Sequence, residues 1–213
     1  MFDVAVEIPT VSDLTSYDVV FVYNDAPFVD PVGVGDLVAS LVEGGKGLVL
    51  AGNSVDATLG LQGRFLLQNL SPVEYGTAAV SGAPLTIAAV DPVYEWLVGP
   101  TTGVINDFGV IVVDGGPSSY QVQGLTLKDQ AVVTHQWSNL EPAVVLLEAG
   151  LPGHGRVALV NLFPPSGAVD PSSWDVNTQA SKLMGNTVLW TQGFTRPIGV
   201  CFGFDPVFGW LTQ

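Results

Sequence analysis

The chain has 213 residues, of which 47% are hydrophobic and only 12% are charged, and its formal net charge is −14. Six Lys and Arg residues are too few to neutralise a phosphate backbone or an anionic membrane surface, which argues against nucleic acid and membrane partners. The abundance of aliphatic and aromatic residues argues against intrinsic disorder.

The chain carries few signals of its location. No apolar run reaches the 18 residues of a membrane span, so we expect no membrane insertion, and the start Met1-Phe2-Asp3 shows no signal peptide. The single cysteine, Cys201, cannot form an intrachain disulfide, and its apolar neighbours favour a small buried side chain. High hydrophobicity with few charges is more typical of an extracellular, cell-surface or assembled protein than of a cytosolic domain.

The first part of the chain predicts a strand–helix–strand unit. Residues 3–7 alternate as a short strand would, and residues 12–14 begin a turn or short helix. Residues 18–23 form a continuous apolar run, typical of a strand buried on both faces of a parallel sheet. Residues 31–43 have apolar side chains at helical spacing and end at Gly44-Gly45, and residues 47–51 read as a second buried strand.

The second part predicts mostly short strands. A helix is indicated at residues 64–70 and another at residues 174–190. Strands are indicated at residues 76–80, 85–90, 110–113, 120–127, 131–137, 143–148 and 157–161. We therefore expect one α/β domain over residues 1–192.

Residues 193–213 form an extended hydrophobic tail with a different character. Strict alternation between residues 198 and 204 predicts a strand, and so dense an apolar segment is hazardous if it is exposed on a monomer. We expect the tail to serve strand addition or assembly. Its candidate contact residues are Phe194, Ile198, Val200, Phe202, Phe204, Phe208 and Trp210.

Four stretches together resemble a known superfamily. They are YDVVFV at 17–22, LVASLVEGGKGLVL at 37–50, GRVALVNLFPPS at 155–166, and WD at 174–175 leading into ASKLMGNTVLW at 180–190. Their order is similar to the class I glutamine amidotransferase-like superfamily, in its trehalose-utilisation (ThuA)-like branch, over about residues 1–192. The resemblance implies a flavodoxin-like layered, mostly parallel sheet with helices on both faces.

The chain departs from this family at the catalytic positions. Active members use a Cys in a Gly-x-Cys-x-Gly turn and a His-x-Glu after a later strand. Here the matching turn is Leu50-Ala51-Gly52-Asn53-Ser54, without Cys, and Phe163 and Pro164 stand where His-x-Glu would fall. The resemblance therefore implies no amidotransferase activity. The family's additional first strand is also missing, so one sheet edge is expected to be unfilled or filled by another strand.

Polar residues at the carboxyl ends of the predicted parallel strands suggest a ligand site. Such strand ends form the ligand-binding rim of open α/β sheets. Trp137 or Trp174 would stack on a sugar there, although such residues are more often core or interface aromatics. A Ser54–His135 pair would make the protein a hydrolase. The rim residues are Asn24, Asp25, Asn53, Ser54 and Asn161. An oxygen-only calcium site would draw on Asp25, Asp30, Asp107, Asp114, Asp170 or Asp175.

The first hypothesis for function is a non-catalytic structural subunit that self-assembles through its apolar tail and sheet edge. A filament, a sheath or a similar extracellular or cell-surface assembly, built as a homo-oligomer or polymer, fits the sparse charge and the lost catalytic positions. The alternative is a degenerate carbohydrate- or small-ligand-binding domain, and a hydrolase using Ser54 is third. We expect no metal and no cofactor.

Overall fold

The structure, a computed structural model, describes residues 2–24, 26–80, 87–90, 120–148, 151–162, 180–193, 204–205 and 209–210. The strand predicted at 110–113 lies outside these residues, as does the first part of the helix predicted at 174–190. Several predicted site residues also lie outside them: Asp25, Trp174, Phe194, Ile198, Val200, Cys201, Phe202 and Phe208. No helix of the described ranges is long and apolar enough to cross a membrane.

The described elements are four helices and twelve strands. The helices are α1 (Val11–Leu14), α2 (Pro31–Glu43), α3 (Arg64–Leu67) and α4 (Ala180–Thr191). The strands are β1 (Val19–Asn24), β2 (Gly47–Gly52), β3 (Val73–Glu74), β4 (Thr77–Val80), β5 (Ile87–Ala89), β6 (Tyr120–Gln123), β7 (Thr126–Leu127), β8 (Ala131–Trp137), β9 (Pro142–Leu147), β10 (Val157–Val160), β11 (Phe204–Asp205) and β12 (Gly209–Trp210).

Six of these strands form the central sheet, in the order β1-β2-β10-β9-β8-β5. The pairings β1–β2 and β2–β10 are parallel, whereas β10–β9, β9–β8 and β8–β5 are antiparallel. The α/β class is therefore confirmed, but the sheet is mixed, and its parallel part is confined to β1, β2 and β10. Smaller antiparallel pairs join β3 to β7, β4 to β6 and β11 to β12.

The two long helices cover opposite faces of the sheet. Leu48 and Leu50 of β2 belong to the apolar cluster that contains Val38 of α2. Val49, between them, belongs to the cluster that contains Leu183 of α4. Because successive side chains of a strand point to opposite faces, α2 and α4 lie on opposite sides of the sheet. β2 is fully buried between them, as the sequence predicted.

Helix α2 has the predicted bounds because its start and stop signals are local. The Asp30 carboxylate accepts hydrogen bonds from the backbone N–H groups of Val32 and Gly33, both at 3.0 Å, and Pro31 takes the first helical position. After the helix, Gly45 adopts a φ of +85° that other residues avoid. The predicted strand–helix–strand unit is thus confirmed as β1, α2 and β2.

Three sequence predictions are wrong in detail. Residues 3–7 form a turn rather than a strand, because the Asp3 carboxylate accepts from Ala5 N–H at 3.1 Å and the Asp3 carbonyl accepts from Glu7 N–H at 2.9 Å. The strand predicted at 120–127 is broken into β6 and β7 at Gly124, whose φ is +72°. β1 is not buried on both faces, because it lies at the sheet edge, where Tyr23 is 38% exposed.

Candidate functional site

The turn after β2 occupies the place where the resemblance puts a catalytic nucleophile. β2 ends at Gly52, with φ +59° and ψ −135°, and a short 3-10 helix follows at Asn53–Val55. Gly52 N–H donates to the carbonyl of Leu162, just past β10, at 2.8 Å. The turn is sharp, as such a site requires, but Asn53 and Ser54 are 3% and 0% exposed. These two predicted rim residues therefore lie inside the protein and not on an open rim.

Asn24 closes β1 at the same end of the sheet and is also buried. Its Nδ2 donates to the carbonyls of Leu59 at 3.0 Å and Ala26 at 3.2 Å. Among the described residues, its Oδ1 has no hydrogen-bond partner, and the same is true of Ser54 Oγ and of both amide atoms of Gln121 on β6. Buried polar atoms without partners are uncommon in folded proteins, and this end of the sheet has several.

The side chain of Asn161, the fifth predicted rim residue, forms hydrogen bonds with backbone groups of the protein. Its Oδ1 accepts from Val122 N–H, and its Nδ2 donates to the carbonyls of Val122 and Pro142, all at 2.8 Å. Its own carbonyl accepts from Trp137 Nε1 at 2.9 Å. The amide thus joins β6 to the end of β10, and both of its donors are used. Trp137 is 1% exposed, so it is a core residue, as aromatic residues of this kind more often are, and does not stack on a sugar.

The predicted Ser54–His135 pair does not form. His135 on β8 aligns with Val144, then Val160, then Ala51 of β2, so three strand spacings separate the two strands, about 14 Å. Ser54 Oγ has no hydrogen-bond partner in the part of the chain that the structure describes. Burial also lowers the pKa of His135 to about 4, and Thr134 Oγ1 lies 2.9 Å from its Nδ1. The hydrolase hypothesis is wrong because the base does not reach the hydroxyl.

The Asp56 carboxylate holds the loop beyond this turn through hydrogen bonds. Asp56 was not among the site residues predicted from the sequence. Its Oδ1 accepts from the N–H groups of Thr58 at 2.7 Å and Leu59 at 2.9 Å, and its Oδ2 accepts from Ala78 N–H at 2.7 Å. Burial alone would raise the pKa of Asp56, but the three backbone donors outweigh it and lower that pKa. An Asp followed two residues later by Thr was a local turn signal that could have found it.

No metal site is present in the described ranges, where no three His, Cys, Asp or Glu side chains come together. Of the six Asp residues considered for calcium, only Asp30 is described, and its carboxylate caps α2. The other five lie outside the described residues.

The open edge of the sheet is the second feature of this region. Among the described strands, only β2 pairs with β1. A groove of about 790 Å³ runs beside all six residues of β1, from Val19 to Asn24. We call it the β1 slot. Its other lining residues are Phe2, Asp3, Val4, Ala5, Pro9, Leu14, Tyr17, Ala26, Phe28, Val34, Leu37, Val38 and Val188.

The β1 slot has two apolar walls. On one face of the sheet, Val20 and Val22 pack with the cluster that contains Val38 of α2. On the other face, Val19, Phe21 and Val188 of α4 pack on the opposite cluster. The groove therefore lies in the plane of the sheet, between the layers of the two helices. That is the position a further strand would occupy next to β1.

A second concavity of about 650 Å³ lies at the opposite end of the sheet, beside the start of β10 and the end of α2. Its carboxylates are already paired, Glu43 with Arg64 and Glu148 with Arg156. Its apolar floor includes Val42, Leu70, Leu147 and Val157. The groove brings together none of the residues predicted for a ligand site.

Comparison with known proteins shows the fold and no family. Neither a protein-family model nor a curated protein matches the sequence. The cytoplasmic protein STM3548 from Salmonella typhimurium is similar in structure, with a TM-score of 0.58, 18% identity, and coverage of 88% of this chain and 77% of that one. The cytoplasmic protein STM1381 from Salmonella typhimurium LT2 has a TM-score of 0.52, 15% identity, and coverage of 86% and 76%. The mmIFT52 N-terminal domain has a TM-score of 0.49 at 11% identity, covering 86% and 80%.

Proposed function

We propose that the protein is a non-catalytic structural subunit that self-assembles through the edge of its sheet and its apolar tail. The observation that carries the proposal is the β1 slot, an apolar groove beside a strand that is paired on one side only among the described strands. A filament, a sheath or a similar extracellular or cell-surface assembly of identical copies is the function it supports.

The physical basis is the cost of an open edge. The outer side of an edge strand offers N–H and C=O groups that template another strand, and natural proteins protect such edges with charge, Pro or covering elements. β1 itself contains no charged residue and no Pro. The net charge of −14 repels identical copies at long range, but charged residues make up only 12% of the chain and none lies in β1, so an added strand meets no charge within the edge strand itself.

We also propose that the protein is a catalytically degenerate member of the glutamine amidotransferase-like superfamily and that its layers are arranged as in flavodoxin. In its support, α2 and α4 cover opposite faces of the sheet, and Gly52 makes a sharp turn directly after a central strand. The turn carries Asn53 and Ser54 and no Cys. A non-catalytic role follows because the nucleophile is missing.

Light scattering and electron microscopy of the full chain test self-assembly. We expect the mass to grow with protein concentration and images to show ordered polymers. Substituting Tyr23→Lys, at a 38% exposed site in β1, places a charge in the slot and should lower the mass. The matched control is Val132→Lys, at a 40% exposed site on β8. A wild-type chain that stays monomeric at high concentration overturns the proposal.

A second function, binding of a carbohydrate or another small polar ligand, is favoured by one observation. Asn24 Oδ1 is buried with no hydrogen-bond partner in the described ranges, and Asn24 lines the end of the β1 slot. A ligand hydroxyl there would satisfy that oxygen. Calorimetry of the full chain against a glycan panel tests this function, with Asn24→Ala expected to abolish binding and Asn139→Ala, at an exposed Asn, to leave it unchanged. No heat with any glycan removes this candidate.

A further inference from the structure

Resting on the proposed function, we infer that the β1 slot takes residues 198–203 of a second copy of the chain, as an added strand parallel to β1. The partner is thus the tail of a neighbouring subunit. Each copy would accept one tail and donate its own, so that an exchange that does not close on itself gives an open-ended polymer.

The composition of residues 198–203 matches the two walls of the slot. The segment Ile-Gly-Val-Cys-Phe-Gly contains no charged residue, and its six residues equal β1 in length. A strand in the slot has an apolar layer on each of its faces, so neither face tolerates a charge. Large side chains at 198, 200 and 202 alternate with Gly or Cys, so one face of the added strand is bulky and the other is small.

Charge around the slot also favours this segment. Asp3 lines the slot and Asp18 directly precedes β1, and both are exposed. From residue 194 to residue 204 the tail contains no Asp or Glu, and it contains Arg196. An acidic peptide would be repelled by these carboxylates, whereas this segment brings a positive charge close to them.

The direction of the added strand follows from the end of α4. Thr191 packs against Gly47 so closely that a Cβ on Gly47 would lie 2.8 Å from the Thr191 carbonyl oxygen. Gly47 pairs with Val19, so the chain leaves α4 beside the first residues of β1. A strand that begins there runs in the same direction as β1. In an exchange, the neighbour's segment would take the position that the chain's own segment would reach, so it would enter the slot at the same end.

The short link after α4 favours a tail from a second copy. Only residues 192–197 separate the end of α4 at Thr191 from the segment, and one of them is Pro197. Short hinges of this kind favour exchange between subunits.

Cys201 allows a direct test because it is the only cysteine in the chain. If residue 198 aligns with Val19, Cys201 lies beside Val22, and neighbouring strands are about 4.8 Å apart, within reach of a disulfide. We would introduce Val22→Cys, oxidise the protein, and examine it on a non-reducing gel. Val20→Cys and Phe21→Cys cover shifts of register, and Val132→Cys on β8 is the control.

We expect Val22→Cys to give a ladder of dimers and larger multimers that disappears when Cys201→Ser is added, while Val132→Cys gives none. A Cys201-dependent link within the monomer would place the chain's own tail in the slot and overturn the exchange. If light scattering shows a polymer that Tyr23→Lys weakens, but no position on β1 forms a link to Cys201, the slot serves assembly without residues 198–203; this result overturns the inference and leaves the proposed function standing. A monomeric wild-type chain overturns both.

Discussion

Asn161 and Val122 hold each other through both backbone groups of Val122: the Asn161 side chain accepts from its N–H and donates to its carbonyl, each at 2.8 Å. The arrangement imitates a strand pairing with a single side chain. It attaches β6, and through it β4, to the carboxyl end of β10. The attachment of the β4–β6 pair to the carboxyl end of β10 therefore depends on the side-chain amide of Asn161.

We predict that Asn161→Leu lowers the free energy of unfolding by about 3 kcal/mol, because it leaves buried backbone groups of Val122 and Pro142 without partners. Asn161→Asp should be as damaging, since a carboxylate cannot donate to the two carbonyls. Urea denaturation measures both. Asn139→Ala, at an exposed Asn, is the control and should change stability by less than about 0.5 kcal/mol. An unaltered midpoint for Asn161→Leu would contradict the structural role.

Gly35→Ala tests how closely α2 approaches the loop beneath it. A Cβ on Gly35 would lie 1.8 Å from the carbonyl oxygen of Gln62. Alanine favours a helix over glycine by about 1 kcal/mol, so a net loss of stability must come from this clash. We predict a net destabilisation of about 2 kcal/mol in thermal or urea unfolding.

The control for Gly35 is Gly44→Ala at the end of the same helix. Gly44 has a φ of −79°, and its nearest contact to a built Cβ is 3.2 Å, from the Ser40 carbonyl oxygen. We expect its stability to change by less than about 0.5 kcal/mol. If Gly35→Ala is more stable than the wild type, the loop at Gln62 moves to make room for the added Cβ, and the predicted destabilisation is wrong.

Asp56→Asn should remove an acid-sensitive part of the stability. The pKa of Asp56 is lowered in the folded state from its ordinary 3.8, so the charged form stabilises the fold above that value. As pH falls below 3.8 through the lower folded-state pKa, this stabilisation is lost. We predict that Asp56→Asn costs about 2 kcal/mol at pH 7 and that the gap to wild type narrows toward pH 3.

Urea midpoints measured across that pH range are the test for Asp56. Asp129→Asn, at an exposed site, is the control and should follow the wild type throughout. A constant gap between Asp56→Asn and wild type from pH 7 to pH 3 would contradict the expectation.

His135 gives a second pH dependence, in a higher range. Burial lowers its pKa from 6.5 to about 4, so between these values the unfolded chain binds a proton that the folded chain does not. Stability should therefore fall by about 1.4 kcal/mol per pH unit as pH decreases through this window, and level off below it. His135→Gln should flatten this slope, and His154→Gln should not. A His135 resonance that titrates near pH 6.5 in NMR spectra would contradict the prediction.

The parts of the fold that could be predicted from the sequence have local signals. α2 starts at an Asp-Pro pair and ends at two glycines, and each signal acts within one helical turn. The turn at residues 3–7 was missed because alternation suggested a strand, whereas the Asp3 side chain bonds its own backbone neighbours. The break in 120–127 was missed because nothing local shows which way Gly124 turns.

The candidate site could be predicted only in part, for a physical reason. Asn53, Ser54 and Asn161 do follow parallel strands, as expected, but they are buried, and Asn161 bonds backbone groups of β6 and β9. Those contacts join residues up to 39 positions apart, beyond any local pattern. The open edge was expected from the resemblance. Its two apolar walls come from α2 and α4, whose packing the sequence does not show.

The mixed sheet has a consequence for the order of folding. β8, β9 and β10 follow one another along the chain and pair as neighbours, so their contacts close short loops. Leu48 of β2 must instead find Val157, more than one hundred residues further along. Long-range parallel pairing is slow, and during synthesis β1 and β2 leave the ribosome well before β10 exists. Val188 of α4 lines the slot, so the groove proposed for assembly is complete only after α4 has been synthesised and has packed on the sheet.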